Sequence, residues 1–126
     1  RKIASYSNPK LQQAIITNFA VTPEELHEIA SNTKDAKTLM YVAMHKNLLP
    51  ETSEVLGRSN SGAARAIVAR QTSSAKLLER LSYDPLSHVR STVAQNPHTP
   101  VEVLKRLATK DVSENVRRAT HYSQNF

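Results

Sequence analysis

The chain contains the same short motif several times at a nearly constant spacing. The segment TPVEVLKRLA at residues 99–108 repeats, with substitutions, the segment TPEELHEIA at residues 22–30. Aligning the chain with itself brings five positions into one column, at steps of 27, 26, 25 and 27 residues: Leu11, Thr38, Ala64, Val89 and Val116. A period in this range is typical of stacked helical units and not of a single globule. The spacing predicts an all-α solenoid of about five two-helix repeats, each 25–27 residues long.

The clearest repeat predicts two short helices, one over Leu86–Gln95 and one over Pro100–Thr109. Each has one narrow apolar stripe at helical spacing, which includes Val89 in the first helix and Leu104 in the second. Helices of this length are marginal alone, so neighbouring repeats must stack to cover these stripes.

Two of the second helices begin with residues that are typical of helix N-terminal caps. We expect the Thr99 hydroxyl to accept a hydrogen bond from the amide three residues later, with Pro100 in the first helical position and Glu102 completing a capping box. Thr22 and Glu25 have the same spacing and predict the same box in the first repeat.

Composition limits the domain organisation and the chemistry. The 126 residues have room for one domain, and we expect residues 1–126 to form a single helical-repeat domain. The chain begins without methionine and stops partway through a fifth copy, so we expect a piece of a longer protein. It contains no cysteine, which removes disulfides and thiolate metal sites. No apolar stretch approaches the roughly 20 residues needed to span a bilayer. We predict a cytoplasmic protein without membrane partners.

The net charge of +6 is unevenly distributed. Residues 1–57 hold six basic and six acidic side chains, whereas residues 58–126 hold eleven basic and five acidic ones. This asymmetry predicts a partner with an acidic surface.

The repeat resembles the leucine-rich repeat variant family, whose units read VRxxVAxNPxTPxxLLxxLAxD. The matching segment here is VRSTVAQNPHTPVEVLKRLA at residues 89–108, followed by Asp111. The resemblance implies a right-handed superhelix in which α-helices alternate with shorter helices, some of them 3₁₀. The family's founding member also carries a cysteine-rich iron–sulfur segment, which has no counterpart in this sequence, so no cofactor is predicted.

Three arginines share the repeat position directly after the column residue, and their role has two interpretations. Arg65, Arg90 and Arg117 could present guanidinium groups to an acidic ligand. However, Asp84 and Asp111 each stand six residues before the arginine of their own repeat, which favours a structural Asp–Arg ladder between adjacent repeats. We predict this ladder for Asp84, Arg90, Asp111 and Arg117.

Other basic side chains of the second half are candidates for an exposed binding surface. The six candidates are Arg58, Arg70, Arg80, Lys105, Arg106 and Arg118. Contact with nucleic acid phosphates requires such a cluster. Binding of single strands also favours aromatic platforms. The chain has no tryptophan, and its aromatic residues do not alternate with basic ones: Tyr6, Phe19, Tyr41, Tyr83, Tyr122 and Phe126.

Catalysis and metal binding find little support in the sequence. The five histidines form no HxxxH pair, and there is no GxSxG elbow or glycine-rich phosphate loop. A remote alternative is a DNA glycosylase built from HEAT-like repeats, but that group relies on tryptophans in its groove. We predict a non-enzymatic scaffold that binds another protein. The main alternative is a segment that binds the nucleic acid backbone through the basic C-terminal half. The sequence does not indicate an oligomeric state.

Overall fold

The computed structural model describes residues 8–18 and 20–122. These residues form helices, turns and loops, and no strand occurs among them. The helices in chain order are α1 (Pro9–Asn18), α2 (Pro23–Asn32), α3 (Ala36–Ala43), α4 (Pro50–Gly57), α5 (Gly62–Gln71), α6 (Ala75–Leu81), α7 (Ser87–Gln95), α8 (Val101–Lys110) and α9 (Glu114–Ala119). A single 3₁₀ turn, Thr120–Tyr122, follows α9 in this part of the chain. The predicted all-α fold class is confirmed.

The odd-numbered helices are the first helices of the predicted repeats, and α2, α4, α6 and α8 are the second helices. The two helices of the clearest repeat, α7 and α8, begin and end within one residue of the predicted bounds. The second helices α2, α4, α6 and α8 are α-helical, which is the α/α form of the predicted solenoid. The handedness of the superhelix stays a prediction.

The chain divides into two compact units, Arg1–Ile67 and Val68–Phe126, with the boundary inside α5. In the first unit, α1 packs on α3 and α2 packs on α4, so like helices of consecutive repeats lie against each other. In the second unit, α9 packs on both α7 and α8. Both arrangements are those of stacked repeats.

The alignment column coincides with the core of each repeat. Thr38, Ala64, Val89 and Val116 are fully buried. Leu11 is 44% exposed, and the α1 side chains that are buried are instead Gln12 and Ile16.

The first helices begin at a recurring cap that the sequence analysis missed. A polar residue stands three positions before the column in four repeats, and its side-chain oxygen accepts the backbone N–H of the column residue. The hydrogen bonds run from Leu11 to Asn8, from Thr38 to Asp35, from Ala64 to Ser61 and from Val116 to Ser113. Because a side-chain cap satisfies an amide that has no partner within the helix, it specifies where the helix starts.

Two second helices, α2 and α8, follow a Thr-Pro pair in the sequence, and they begin in different ways. At α2, the predicted capping box is present: Glu25 N–H donates to Thr22 Oγ1 at 3.1 Å, and Thr22 N–H donates to Glu25 Oε1 at 2.9 Å. At α8, the helix begins one residue later than predicted, so Pro100 is the N-cap residue and not the first helical residue. The buried Thr99 hydroxyl donates to the Val93 carbonyl oxygen at 2.6 Å, and the capping box of Thr99 with Glu102 stays a prediction.

Candidate interaction surface

The three arginines that directly follow the column residues make the same contact within their own repeats. In each case, a guanidinium Nη1 donates to the backbone carbonyl oxygen six residues earlier. The pairs are Arg65 with Ser59 at 2.8 Å, Arg90 with Asp84 at 2.8 Å and Arg117 with Asp111 at 2.6 Å. This hydrogen bond fastens the loop before each first helix to the helix itself. The arginines are half-buried as a result.

Arg90 also reaches into the following repeat. Its Nε lies 2.8 Å from Oδ2 of Asp111, and its Nη2 lies 3.3 Å from Oδ1. The side chain of Arg90 is 13% exposed and that of Asp111 is 5% exposed, so the pair is nearly enclosed. Asp111 Oδ1 additionally accepts the Ser113 amide at 2.9 Å, and Asp84 is buried with its Oδ1 accepting the Leu86 amide at 3.0 Å. The guanidinium of Arg90 is therefore engaged by the protein and is not presented to a ligand.

The six basic candidates belong to different structural elements. Arg70 and Arg118 belong to first helices, whereas Arg80, Lys105 and Arg106 belong to second helices and Arg58 follows α4. Three of them pair with a glutamate on the same helix or next to its end: Arg58 with Glu54 at 3.8 Å, Lys105 with Glu102 at 3.7 Å and Arg118 with Glu114 at 2.5 Å. These pairs are exposed and contribute less than about 1 kcal/mol each.

Arg106 joins two second helices of the Val68–Phe126 unit. Its guanidinium carbon lies 4.0 Å from the centroid of the Tyr83 ring, and its Nη2 donates to the Ser82 hydroxyl. Tyr83 is 67% exposed, so this cation–π contact lies at the surface. Nothing in the sequence pattern indicated the contact, because Tyr83 follows the end of α6 and is not part of the repeat motif.

Arg70 lies at a polar groove within the Val68–Phe126 unit. The groove has a volume of about 360 Å³ and lies between the end of α5 and α7. It is lined by Arg70, His88, Ser91, Thr92, Gln95, Asn96 and Pro97. No aspartate or glutamate belongs to this lining, and among the described residues no carboxylate lies within ion-pair distance of Arg70.

The first helices of the Arg1–Ile67 unit present apolar side chains instead. Leu11 is 44% exposed and Met44 is 56% exposed. A groove of about 270 Å³ between α1 and α3 is lined by Ile16, Thr17, Tyr41, Met44 and His45. Exposed apolar side chains around a groove are typical of surfaces that bind other proteins.

The described residues offer neither a metal site nor a membrane-spanning helix. Within residues 8–18 and 20–122, no group of three or more histidine, aspartate or glutamate side chains is arranged to hold a metal ion. His27 Nδ1 lies 2.9 Å from the buried Thr52 hydroxyl, which assigns it a packing role between α2 and α4. None of the helices in these described ranges has the length and apolar character that crossing a bilayer requires. Tyr6, Phe19 and Phe126, considered as aromatic platforms, lie outside the described residues.

One repeat of this chain is similar to a known protein family. The family model described as leucine rich repeat variant matches residues 88–113. This segment is similar to a leucine rich repeat variant unit. It covers nearly all of α7 and the whole of α8 and ends just after Asp111, so it includes both members of the buried ion pair. The resemblance predicted from the sequence is confirmed for this repeat, and no curated protein or solved structure matches the chain.

Proposed function

We propose that this helical-repeat chain is a non-enzymatic scaffold that binds another protein, with the first helices forming the binding surface. Two exposed apolar side chains carry this proposal, Leu11 on α1 and Met44 directly after α3. Protein interfaces combine an apolar centre with a polar rim that often contains arginine. The excess of basic side chains supports a partner with an acidic surface. A cytoplasmic location, predicted from the sequence, is kept as part of the proposal.

The test is capture of partner proteins from a nuclease-treated lysate by the wild-type chain and by Met44→Glu. The variant places a charge at the apolar groove, so we expect proteins retained by the wild type to be lost. Val112→Glu is the matched control, because Val112 is 90% exposed in the loop before α9 and lies outside the groove. Equal retention by all three proteins would contradict the proposed surface.

The second candidate function is binding of the nucleic acid backbone. It is favoured by the charge of residues 68–126, which hold nine basic and five acidic side chains. A duplex bound through about five phosphates should lose affinity with salt along a log–log slope near −4.5. A protein interface with an apolar centre should be far less sensitive. Gel-shift titrations with two unrelated duplexes at two ionic strengths separate these cases, and absence of binding at low salt eliminates the nucleic acid candidate.

A further inference from the structure

The polar groove beside Arg70 has a fixed wall. The buried Asn96 side chain donates from Nδ2 to the carbonyl oxygens of Ala69 and Thr72, each at 2.8 Å, and to that of Arg70 at 3.3 Å. These hydrogen bonds hold the C-terminal end of α5 against the end of α7. The backbone of Arg70 is therefore positioned while its side chain remains exposed. A cation on a fixed backbone loses little freedom when it binds a ligand.

The same hydrogen bonds change the electrostatics of the groove. A helix C-terminus carries partial negative charge on its last carbonyl oxygens, which disfavours an anion nearby. At α5, the Asn96 amide covers the carbonyl oxygens of Ala69, Arg70 and Thr72. At α7, the Val93 carbonyl oxygen accepts from the Thr99 hydroxyl. The groove thus combines the positive charge of Arg70 with helix ends at which several carbonyl oxygens accept hydrogen bonds from side chains.

The size and surroundings of the groove favour a carboxylate side chain over a nucleic acid backbone. Phosphate tracking needs several available cations on one surface. On the first helices of this unit, Arg90 is bound to Asp111, Arg117 donates to a carbonyl oxygen and Arg118 pairs with Glu114. Arg70 differs from these three arginines. Among the described residues 68–122, no residue forms a hydrogen bond or an ion pair with the Arg70 guanidinium, and Asn96 contacts only the Arg70 backbone. A volume of about 360 Å³ accommodates one or two side chains.

We propose that this groove binds a glutamate or aspartate side chain of an acidic partner protein, with Arg70 as its ion-pair donor. The inference rests on the proposed function and adds a specific site to it. His88 and Gln95, at the two ends of the α7 side of the groove, contribute polar contacts around the carboxylate.

The experiment is an NMR titration of the isotope-labelled full chain with an acetylated tetraglutamate peptide at low ionic strength. Inorganic phosphate and a short DNA duplex are titrated in parallel. We expect the peptide to shift the backbone amides of Arg70 and of residues 88–97. Arg70→Gln should weaken peptide binding about fivefold, the factor that corresponds to one exposed ion pair.

Two further variants make the result specific. Gln95→Glu places a carboxylate at the groove and should weaken binding at least as much as Arg70→Gln, because it competes for the same guanidinium. Lys110→Gln removes an equal charge from the exposed end of α8, away from the groove, and should change the affinity less than about twofold. Circular dichroism confirms that each variant is folded.

Three outcomes would overturn the proposal, and they differ in what they say about the proposed function. Equal weakening by Arg70→Gln and Lys110→Gln would reject the groove but keep an acidic partner. Stronger shifts of residues 88–97 with phosphate or duplex than with peptide would reject the carboxylate and favour nucleic acid. No peptide binding anywhere on the wild-type chain would reject both the groove and an acidic protein partner.

Discussion

Arg90 and Asp111 form a nearly enclosed ion pair between consecutive repeats, with Nε and Oδ2 separated by 2.8 Å. The same guanidinium donates to the carbonyl oxygens of Asp84 and Pro85 in its own repeat. One side chain thus satisfies polar groups from two neighbouring repeats. Arg90 and Asp111 therefore act in the stacking of these repeats, which leaves ligand binding to other cations.

Removal of one partner of this pair should be strongly destabilising. In Asp111→Asn, the Arg90 charge remains in place with only 13% of its side chain exposed. We expect the free energy of unfolding to fall by about 3 kcal/mol, since an uncompensated buried charge is the main cost of breaking such a pair. Urea unfolding followed by circular dichroism measures the change.

Glu102→Gln is the control for this prediction. It removes the exposed partner of Lys105 and should cost less than about 1 kcal/mol. A loss in Asp111→Asn no larger than the loss in this control would mean that the ion pair does not hold the two repeats together.

Leu104 tests the apolar contribution to the same stack. It is fully buried in α8, and Leu104→Ala should lower the free energy of unfolding by roughly 2 to 5 kcal/mol, the range for a large cavity in a core. Val112→Ala, at a position that is 90% exposed, should leave the stability nearly unchanged. Thermal unfolding of both variants measures the difference, and full stability of Leu104→Ala would contradict this packing register.

The spacing of the repeats predicted the core well, because burial at one register position recurs in each repeat. Thr38, Ala64, Val89 and Val116 share a column and are all buried, although only two of them are strongly apolar. Leu11 occupies the same column but is exposed. A column alignment gives the position of a residue on its helix but does not show which neighbouring elements cover it.

The binding candidates were harder to predict, because the partner of a long side chain depends on which residues lie near it in the folded structure. Arg70 and Arg106 look alike in the sequence, since each is an arginine on a short helix. In the structure, Arg106 stacks on Tyr83, whereas Arg70 borders an open polar groove. Neither partner follows from charge or periodicity, so the predicted basic surface separates into residues with different surroundings.

The capping box at α2 predicts a measurable difference between two conservative substitutions. Thr22→Ala removes the acceptor of the Glu25 amide and should cost about 1 kcal/mol of unfolding free energy. Thr22→Ser keeps the hydroxyl and should cost less than about 0.5 kcal/mol, since serine is at least as good a cap. Urea unfolding of both variants checks this, and equal losses would mean that the hydroxyl contributes nothing.

Asp35 should make the stability of the chain depend on pH at the acidic end. Hydrogen bonds from the Thr38 backbone N–H, the Thr38 hydroxyl and the Gln13 amide hold the pKa of Asp35 below its ordinary value of 3.8, although partial burial opposes them. A carboxyl group whose pKa is lower in the folded state stabilises that state above pH 3.8 and loses this contribution as the pH falls through the folded pKa.

Asp35→Asn isolates this contribution, because asparagine also caps helices well but does not ionise. We expect the difference in unfolding free energy between wild type and variant to be constant at neutral pH and to shrink below pH 3.8. The other carboxyl groups titrate in both proteins and cancel in the difference. Urea unfolding of both proteins across this pH range gives the curve, and a gap that stays constant or grows on acidification would contradict the role assigned to Asp35.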